Sequence, residues 1–357
     1  IVDEEGEGEG EGNTATTLLN LPLHEVLACD TGVDIESVGT MLLEIYPDAV
    51  KLKRGSPARY PLEIGLLRSA PDNFMVMMLD IYPPAAKQFS APYPSLVHWA
   101  LCNNKPADLT IKLINAHPEA AEIKDRKGQL PIHISCNRGD AMPRHIIQRL
   151  LEIFPECLPI QDNSGNTPLH AACEKMHNNL SFVGSIMIEC HGASDACKKK
   201  NKGGNLAIHS ICEQAFPAED VIMYMIDVYP ESLQQKDNTG NLPLHSAVER
   251  GDVTAVEVVK RMLRVFPASM TIKDKDGNTP LHSACENMNT KLIEVMRLML
   301  AVGNQASQIK DRDGNLALHS AAESTKLSPK CQTFVVDALV DSYPGGLRVM
   351  DKDGNLP

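Results

Sequence analysis

Residues Asp162–Ala172 read DNSGNTPLHAA, and this phrase decides the fold because it keeps returning. It recurs as DNTGNLPLHSA from Asp237, DKDGNTPLHSA from Asp274 and DRDGNLALHSA from Asp311. Weaker copies begin at Asp125 (DRKGQLPIHIS) and Asn201 (NKGGNLAIHSI), and DKDGNLP from Asp351 starts one more. A fixed period of this kind outranks other fold signals, since each unit can bury its apolar face only against its neighbours. It also points to a long surface built from stacked units rather than to a single pocket.

The histidine of the phrase sets the register. It falls at His98, His133, His170, His209, His245, His282 and His319, at steps of 35, 37, 39, 36, 37 and 37. Extended backwards, the grid reaches Glu63 (in YPLE) and His24 (in LPLH), which gives nine units and the start of a tenth.

About twenty residues later comes an aromatic-proline pair: Tyr46-Pro47, Tyr82-Pro83, Phe154-Pro155, Tyr229-Pro230, Phe266-Pro267 and Tyr343-Pro344. His117-Pro118, His191-Gly192 and Val302-Gly303 stand there in the other units. The segment before it is amphipathic, with Val253, Val256, Val259, Met262, Val265 and Phe266 near helical spacing. Each unit therefore reads as a short helix opened by proline, a turn, a longer helix, and a break at the aromatic-proline pair. The stretch that follows, such as Glu231–Asn241, reads as an extended arm reversing at Gly240.

These residues resemble the ankyrin repeat family. The T-P-L-H-x-A heart stands at Thr167–Ala172 and Thr279–Ala284, preceded by the D-x-x-G turn and followed by a V-x-x-V-x-x-M-L type of second helix. The resemblance is strong from Asp125 to Met350 and faint before Pro118. It implies an all-α, helix-turn-helix solenoid with hairpin-like loops between repeats. The family's usual unit of ~33 residues is about one helical turn shorter than this one. Leucine replaces the motif threonine at Leu130, Leu206, Leu242, Leu316 and Leu356, which removes a hydroxyl cap. The long, Tyr-Pro-containing unit is similar to expanded ankyrin families of diatoms and related algae. The domain reading is an acidic Glu/Gly linker over 1–13, divergent repeats over 14–119, regular repeats over 120–350 and a truncated repeat over 351–357.

Composition fits such a stack. Aromatic residues make up 4% of 357, so the helices must pack through Leu, Ile, Val, Met and Ala. No apolar run approaches the ~18 residues that span a bilayer. The first twelve residues hold six acids and supply half of the net charge of −12, as a self-repelling linker does. The chain starts without methionine and reads as part of a longer protein. The basic run Lys198, Lys199, Lys200 and Lys202 is local and gives no nucleic-acid footprint.

Ten cysteines suggest a reducing, intracellular setting. Cys136, Cys173, Cys212 and Cys285 share one position, three residues after the grid histidine, where Val248 and Ala322 stand elsewhere. That marks a small-residue core column. Ligands on neighbouring stacked helices lie too far apart for one zinc, and a column does not pair into disulfides. The D-x-D-x-N stretch from Asp274 lacks a calcium loop's twelfth-position acid. Arg138-Gly139-Asp140 and Arg250-Gly251-Asp252 fall where units turn between helices, and Asn179-x-Ser181 is a single sequon. The grid histidines read as first-helix side chains bonding neighbouring backbone, since no nucleophile or paired carboxylate accompanies them. No catalytic residue, cofactor or metal is expected.

One recurrence reads as functional. Glu174, Glu213, Glu249, Glu286 and Glu323 follow the histidine by four residues in five consecutive units. The family resemblance places them at the end of the inner helix, on the concave face, where a carboxylate column would steer a basic segment of a protein partner. Finger tips such as Lys275, Arg312 and Lys352 give a second contact surface. The expected function is a non-catalytic interaction scaffold. The alternatives are a regulatory or tethering region of a larger enzyme or channel, and a self-associating structural subunit.

Overall fold

The computed structural model describes residues 22–357 except 29–33, 56, 90–91, 177, 182–183, 185–186, 188–189, 191, 215–217, 250–255, 287–291 and 325–328. The Glu/Gly linker and the second Arg-Gly-Asp stretch (250–252) lie outside the described residues. The fold is all-helical; among the described residues the only β pairing is one bridge between Arg54 and Arg59. The chain divides into two compact units, residues 1–126 and 127–357.

In residues 127–357 the short inner helices are Pro131–Asn137, Pro168–Lys175, Ala207–Cys212, Pro243–Glu249, Pro280–Glu286 and Ala317–Glu323. Successive inner helices pack on one another, and the outer helices Glu219–Val228, Val256–Val265, Leu292–Val302 and Pro329–Ser342 form a second layer. Proline opens four of the six inner helices, at the position where a missing N–H costs nothing. These helices are buried nearly all round. In Pro243–Glu249, every residue from Pro243 to Val248 is buried and only Glu249 is exposed. Enclosing a leucine such as Leu244 stabilises by about 1.5–3 kcal/mol.

The grid histidines are structural. Each is buried, and from His133 to His282 the ring joins two units. In the units headed by Leu130, Leu206, Leu242 and Leu316, the leucine N–H donates to the histidine Nδ1 at 3.0–3.2 Å. Nε2 then meets a carbonyl of the next finger: Asn166 for His133, Asn205 for His170, Gln235 for His209, Asn278 for His245 and Asn315 for His282. With Nδ1 accepting, Nε2 carries the proton and donates. In the threonine units the hydroxyl also meets Nδ1, at 2.8 Å from both Thr167 and Thr279. The leucine units lose that contact and the hydroxyl that accepts from the histidine N–H (as Thr167 does from His170), and keep the backbone N–H to Nδ1 bond.

The fingers that begin at Asp162, Asp237, Asp274, Asp311 and Asp351 are locked by that aspartate, and Asn201 does the same in its own finger. Asp274 Oδ1 accepts from the N–H groups of Asp276 and Asn278, both at 2.8 Å, which accounts for the D-x-D-x-N pattern. The tips are joined by backbone rungs. Asn163 N–H donates to Lys127 O, Lys202 to Ser164, Asn238 to Gly203, Lys275 to Thr239, Arg312 to Asp276 and Lys352 to Asp313, at 2.9–3.0 Å. Gly277 has φ +89°, and a Cβ there would stand 2.6 Å from the Arg312 nitrogen. Only glycine allows the rung.

The sequence reading needs three corrections. The arm after the aromatic-proline pair is not simply extended. It opens with a 3-10 turn, as in Pro230–Gln234 and Pro267–Thr271. Its entry is fixed by the preceding residue, which leaves the helical region (Tyr229 φ −140°, ψ 74°) while its N–H still closes the outer helix. Gly303 does the same before Asn304, so proline is not essential. Secondly, the buried stripe of Val256–Val265 is Val258, Val259, Met262 and Leu263, because the helix packs on both the inner layer and its outer neighbours. Val256, Val265 and Phe266 are half-buried, and Val253 lies outside the described residues. Thirdly, Cys136, Cys173, Cys212, Cys285 and Val248 are buried as one column, but Ala322, in the inner helix Ala317–Glu323, is exposed.

Residues 22–126 repeat the scheme with different chemistry. Inner helices Pro22–Ala28, Pro61–Leu67 and Leu96–Cys102 pair with outer helices Ile35–Ile45, Asp72–Ile81 and Ala107–Ala116, each outer helix followed by a 3-10 turn. Glu63 takes the histidine place and is buried against the Arg59 guanidinium, 3.3 Å away.

Candidate interaction surface

The five glutamates sit at or near the C-terminal ends of consecutive inner helices, where the burial of those helices ends. Glu174, Glu249, Glu286 and Glu323 are exposed, and Glu213 is half-buried with its carboxylate accepting from the Ser246 hydroxyl at 3.4 Å. Burial raises the Glu213 pKa, and the negative charges of Asp237, Glu249 and Glu174 raise it further. Neighbouring carboxylates of the column therefore feel one another, and a finger aspartate stands beside them. A Lys175 ammonium lies 3.7 Å from Glu174, both exposed, a pair of little energetic weight.

On the fingers, Lys275, Arg312 and Lys352 are exposed. Arg312 is tied to its neighbour: its guanidinium donates to Lys275 O and lies 3.6 Å from Asp276. It braces the stack as well as facing solvent.

A second column was missed in the sequence. Within residues 127–357, the residue just before each finger turn is Lys200, Lys236, Lys273 or Lys310, with Gln161 and Met350 at the ends; Lys124 holds the same place before Asp125. Lys200 Nζ donates to Lys236 O (2.9 Å), Lys236 Nζ to Lys273 O (2.6 Å) and Lys310 Nζ to Met350 O (2.8 Å), while the Gln161 amide reaches Lys200 O (2.9 Å). This cationic seam runs along the fingers. Its signal was lysine recurring one residue before the turn aspartate. Burial, aided by Lys200 and Lys236, pushes His209 and His245 down to about 4, so both rings are neutral at pH 7.

The remaining short motifs are absorbed by the fold. Gly139 has φ +61° and packs against the Lys175 carbonyl, and the Asp140 carboxylate accepts from the N–H groups of Asn178 and Asn179 at 3.0 Å. Arg138-Gly139-Asp140 is thus an inter-unit clasp, and the Asn179 amide is held by Asp140 and Arg144. The nine described cysteines are free thiols, and burial pushes those of the core column far above their ordinary range. No group of three metal-ligating side chains, and no helix long and apolar enough to cross a membrane, occurs among the described residues.

Stacked inner helices, an outer layer and hydrogen-bonded fingers define an all-helical repeat protein. The family description "Ankyrin repeats (3 copies)" matches residues 97–194 and 254–353, more than half of the chain, and the chain belongs to the ankyrin repeat family. Among solved structures, it is similar to the ankyrin repeat domain of Bcl-3, described as a unique member of the IkappaB protein family. That match has 18% identity and a TM-score of 0.46 and covers 70% of this chain and 98% of that one. No curated protein matches.

Proposed function

We propose that this chain is a non-catalytic scaffold that holds a protein partner along the exposed ends of its inner helices. Ankyrin repeats imply protein interaction in general. The finer reading names Glu174, Glu213, Glu249, Glu286 and Glu323 as the docking column and a basic segment as its occupant, with Lys275 and Arg312 as the second contact. The observation that carries it is the raised Glu213 pKa, due first to burial and then to Asp237, Glu249 and Glu174. Carboxylates held this close repel one another, and a cationic partner relieves the repulsion. The free thiols support a reducing, intracellular setting.

The test is paired capture of partners by the native chain, by a chain with all five glutamates changed to Gln, and by a Lys275→Ala/Arg312→Ala chain. Loss of a partner on the Gln chain alone supports the column. Equal recovery on the native and Gln chains refutes it, and loss on the finger variant alone moves recognition to the tips.

A further inference from the structure

The first two fingers lack the D-x-x-G turn of the later ones (the second reads QFSAPYPS from Gln88), and the first is rich in arginine. Between Leu52 and Tyr60 the D-x-x-G turn is absent, and Arg54-Gly55-Ser56-Pro57-Ala58-Arg59 stands in its place. The backbones of Arg54 and Arg59 pair in both directions at 2.9 Å, so their side chains leave a common root. Beneath lies an open cleft of about 390 Å³, lined by His24, Glu25, Ala28, Arg54, Gly55, Pro57, Arg59, Ile64 and Arg68. Three guanidinium groups face one lining carboxylate there. Arg54 meets Glu25, and Arg59 meets Glu63 behind the lining. This basic cluster stands in a chain whose net charge is −12.

His24 supplies the independent observation. Its ring lines the cleft and is 1% exposed, yet neither nitrogen completes a hydrogen bond. Burial holds its pKa below the ordinary histidine value and the Arg54 charge adds to this, outweighing the nearby carbonyls of Arg59 and Leu52. From His133 to His282 a finger carbonyl sits on Nε2, whereas His24 makes no such bond and its ring lines the cleft beside the arginines.

We propose that this cleft binds a phosphate monoester, held by the Arg54, Arg59 and Arg68 guanidinium groups with His24 as a further donor. Guanidinium forks match phosphate oxygens two at a time, and their excess positive charge suits a dianion better than a single carboxylate. The phosphate comes either on a small molecule or on a phosphorylated side chain of a partner. The site is separate from the acidic column and stands whether or not that column binds.

The test uses the full chain with inorganic phosphate, free O-phosphoserine, and a phosphoserine peptide beside its unphosphorylated form. Thermal stability and the His24 ring resonances in NMR are the readouts. Phosphate and O-phosphoserine should raise the unfolding midpoint and shift the His24 signals at millimolar concentration. Much tighter binding of the phosphopeptide would assign the phosphate to a protein partner; equal binding would assign it to a small molecule. Either result supports the site. Arg68→Gln, at an exposed helix end, and Arg54→Gln should each weaken binding about tenfold, the loss expected for one charged hydrogen bond. A Lys198→Gln/Lys199→Gln/Lys202→Gln chain should bind as the native one does. Absence of binding, or binding kept by both arginine variants and lost by the lysine variant, overturns the proposal.

Discussion

Acid should loosen the regular stack before its carboxylates titrate, and the grid histidines set the size of the effect. His209 and His245 sit near a pKa of about 4 in the folded chain, against an ordinary 6.5, because burial opposes their charge. Between these values the unfolded chain binds more protons, so stability is full above pH 6.5 and is lost as pH falls towards 4. From pH 7 to pH 5 the linkage relation removes about 2 kcal/mol per ring, or about 4 kcal/mol for the pair. His170 and His282 are lowered for the same first cause and add in the same direction. Glu213, whose pKa is raised, works in the opposite sense. The assay is urea unfolding followed by circular dichroism at pH 7, 6 and 5, for the native chain and a His209→Gln/His245→Gln chain. Gln can still donate to the next finger's carbonyl without titrating. The native midpoint should fall steeply with pH and that of the variant much less. A native midpoint that does not move between pH 7 and pH 5, or equal slopes for both chains, would refute the histidine account.

Further outcomes follow from single contacts. Gly277→Ala should cost about 1–3 kcal/mol, through its left-handed backbone and the clash with the Arg312 nitrogen, read as a lower urea midpoint. Glu213→Gln should stabilise the chain at pH 7 by a few tenths of a kcal/mol, discounted for its partial exposure, and weaken binding of a basic partner. Calorimetry and a binding titration measure the two halves, and a destabilised Glu213→Gln chain would contradict the repulsion. Under native conditions a thiol reagent should modify exposed Cys102 first and half-buried Cys190 and Cys331 next. Cys136, Cys173, Cys212 and Cys285 should react only on unfolding, and mass spectrometry identifies the order.

The parts of this fold legible in sequence are those built by local chemistry. Asp274, Gly277, Asn278 and Pro280 each do their work within a few residues of themselves, so the turn, the helix start and the period could be read directly. The 3-10 turn at Pro230–Gln234 could not, since five residues are too few to show a helical period. The outer-helix stripe was misread at Val258 and Leu263 because its burial depends on two packing layers at once. The lysine seam joins residues 36, 37 or 40 apart, and only the stack brings each ammonium to its carbonyl. The arginine cleft was hidden for a similar reason. Arg54 and Arg59 lie in one finger, but Glu25 and His24 come from the preceding inner helix.

Hydrogen exchange of the chain with and without its captured partner tests the central claim most directly. Occupation of the acidic column predicts slowed exchange at the C-terminal ends of Pro168–Lys175, Ala207–Cys212, Pro243–Glu249, Pro280–Glu286 and Ala317–Glu323, with the outer helices unchanged. Protection confined to the outer helices, with the inner-helix ends exchanging as in the free chain, would contradict it.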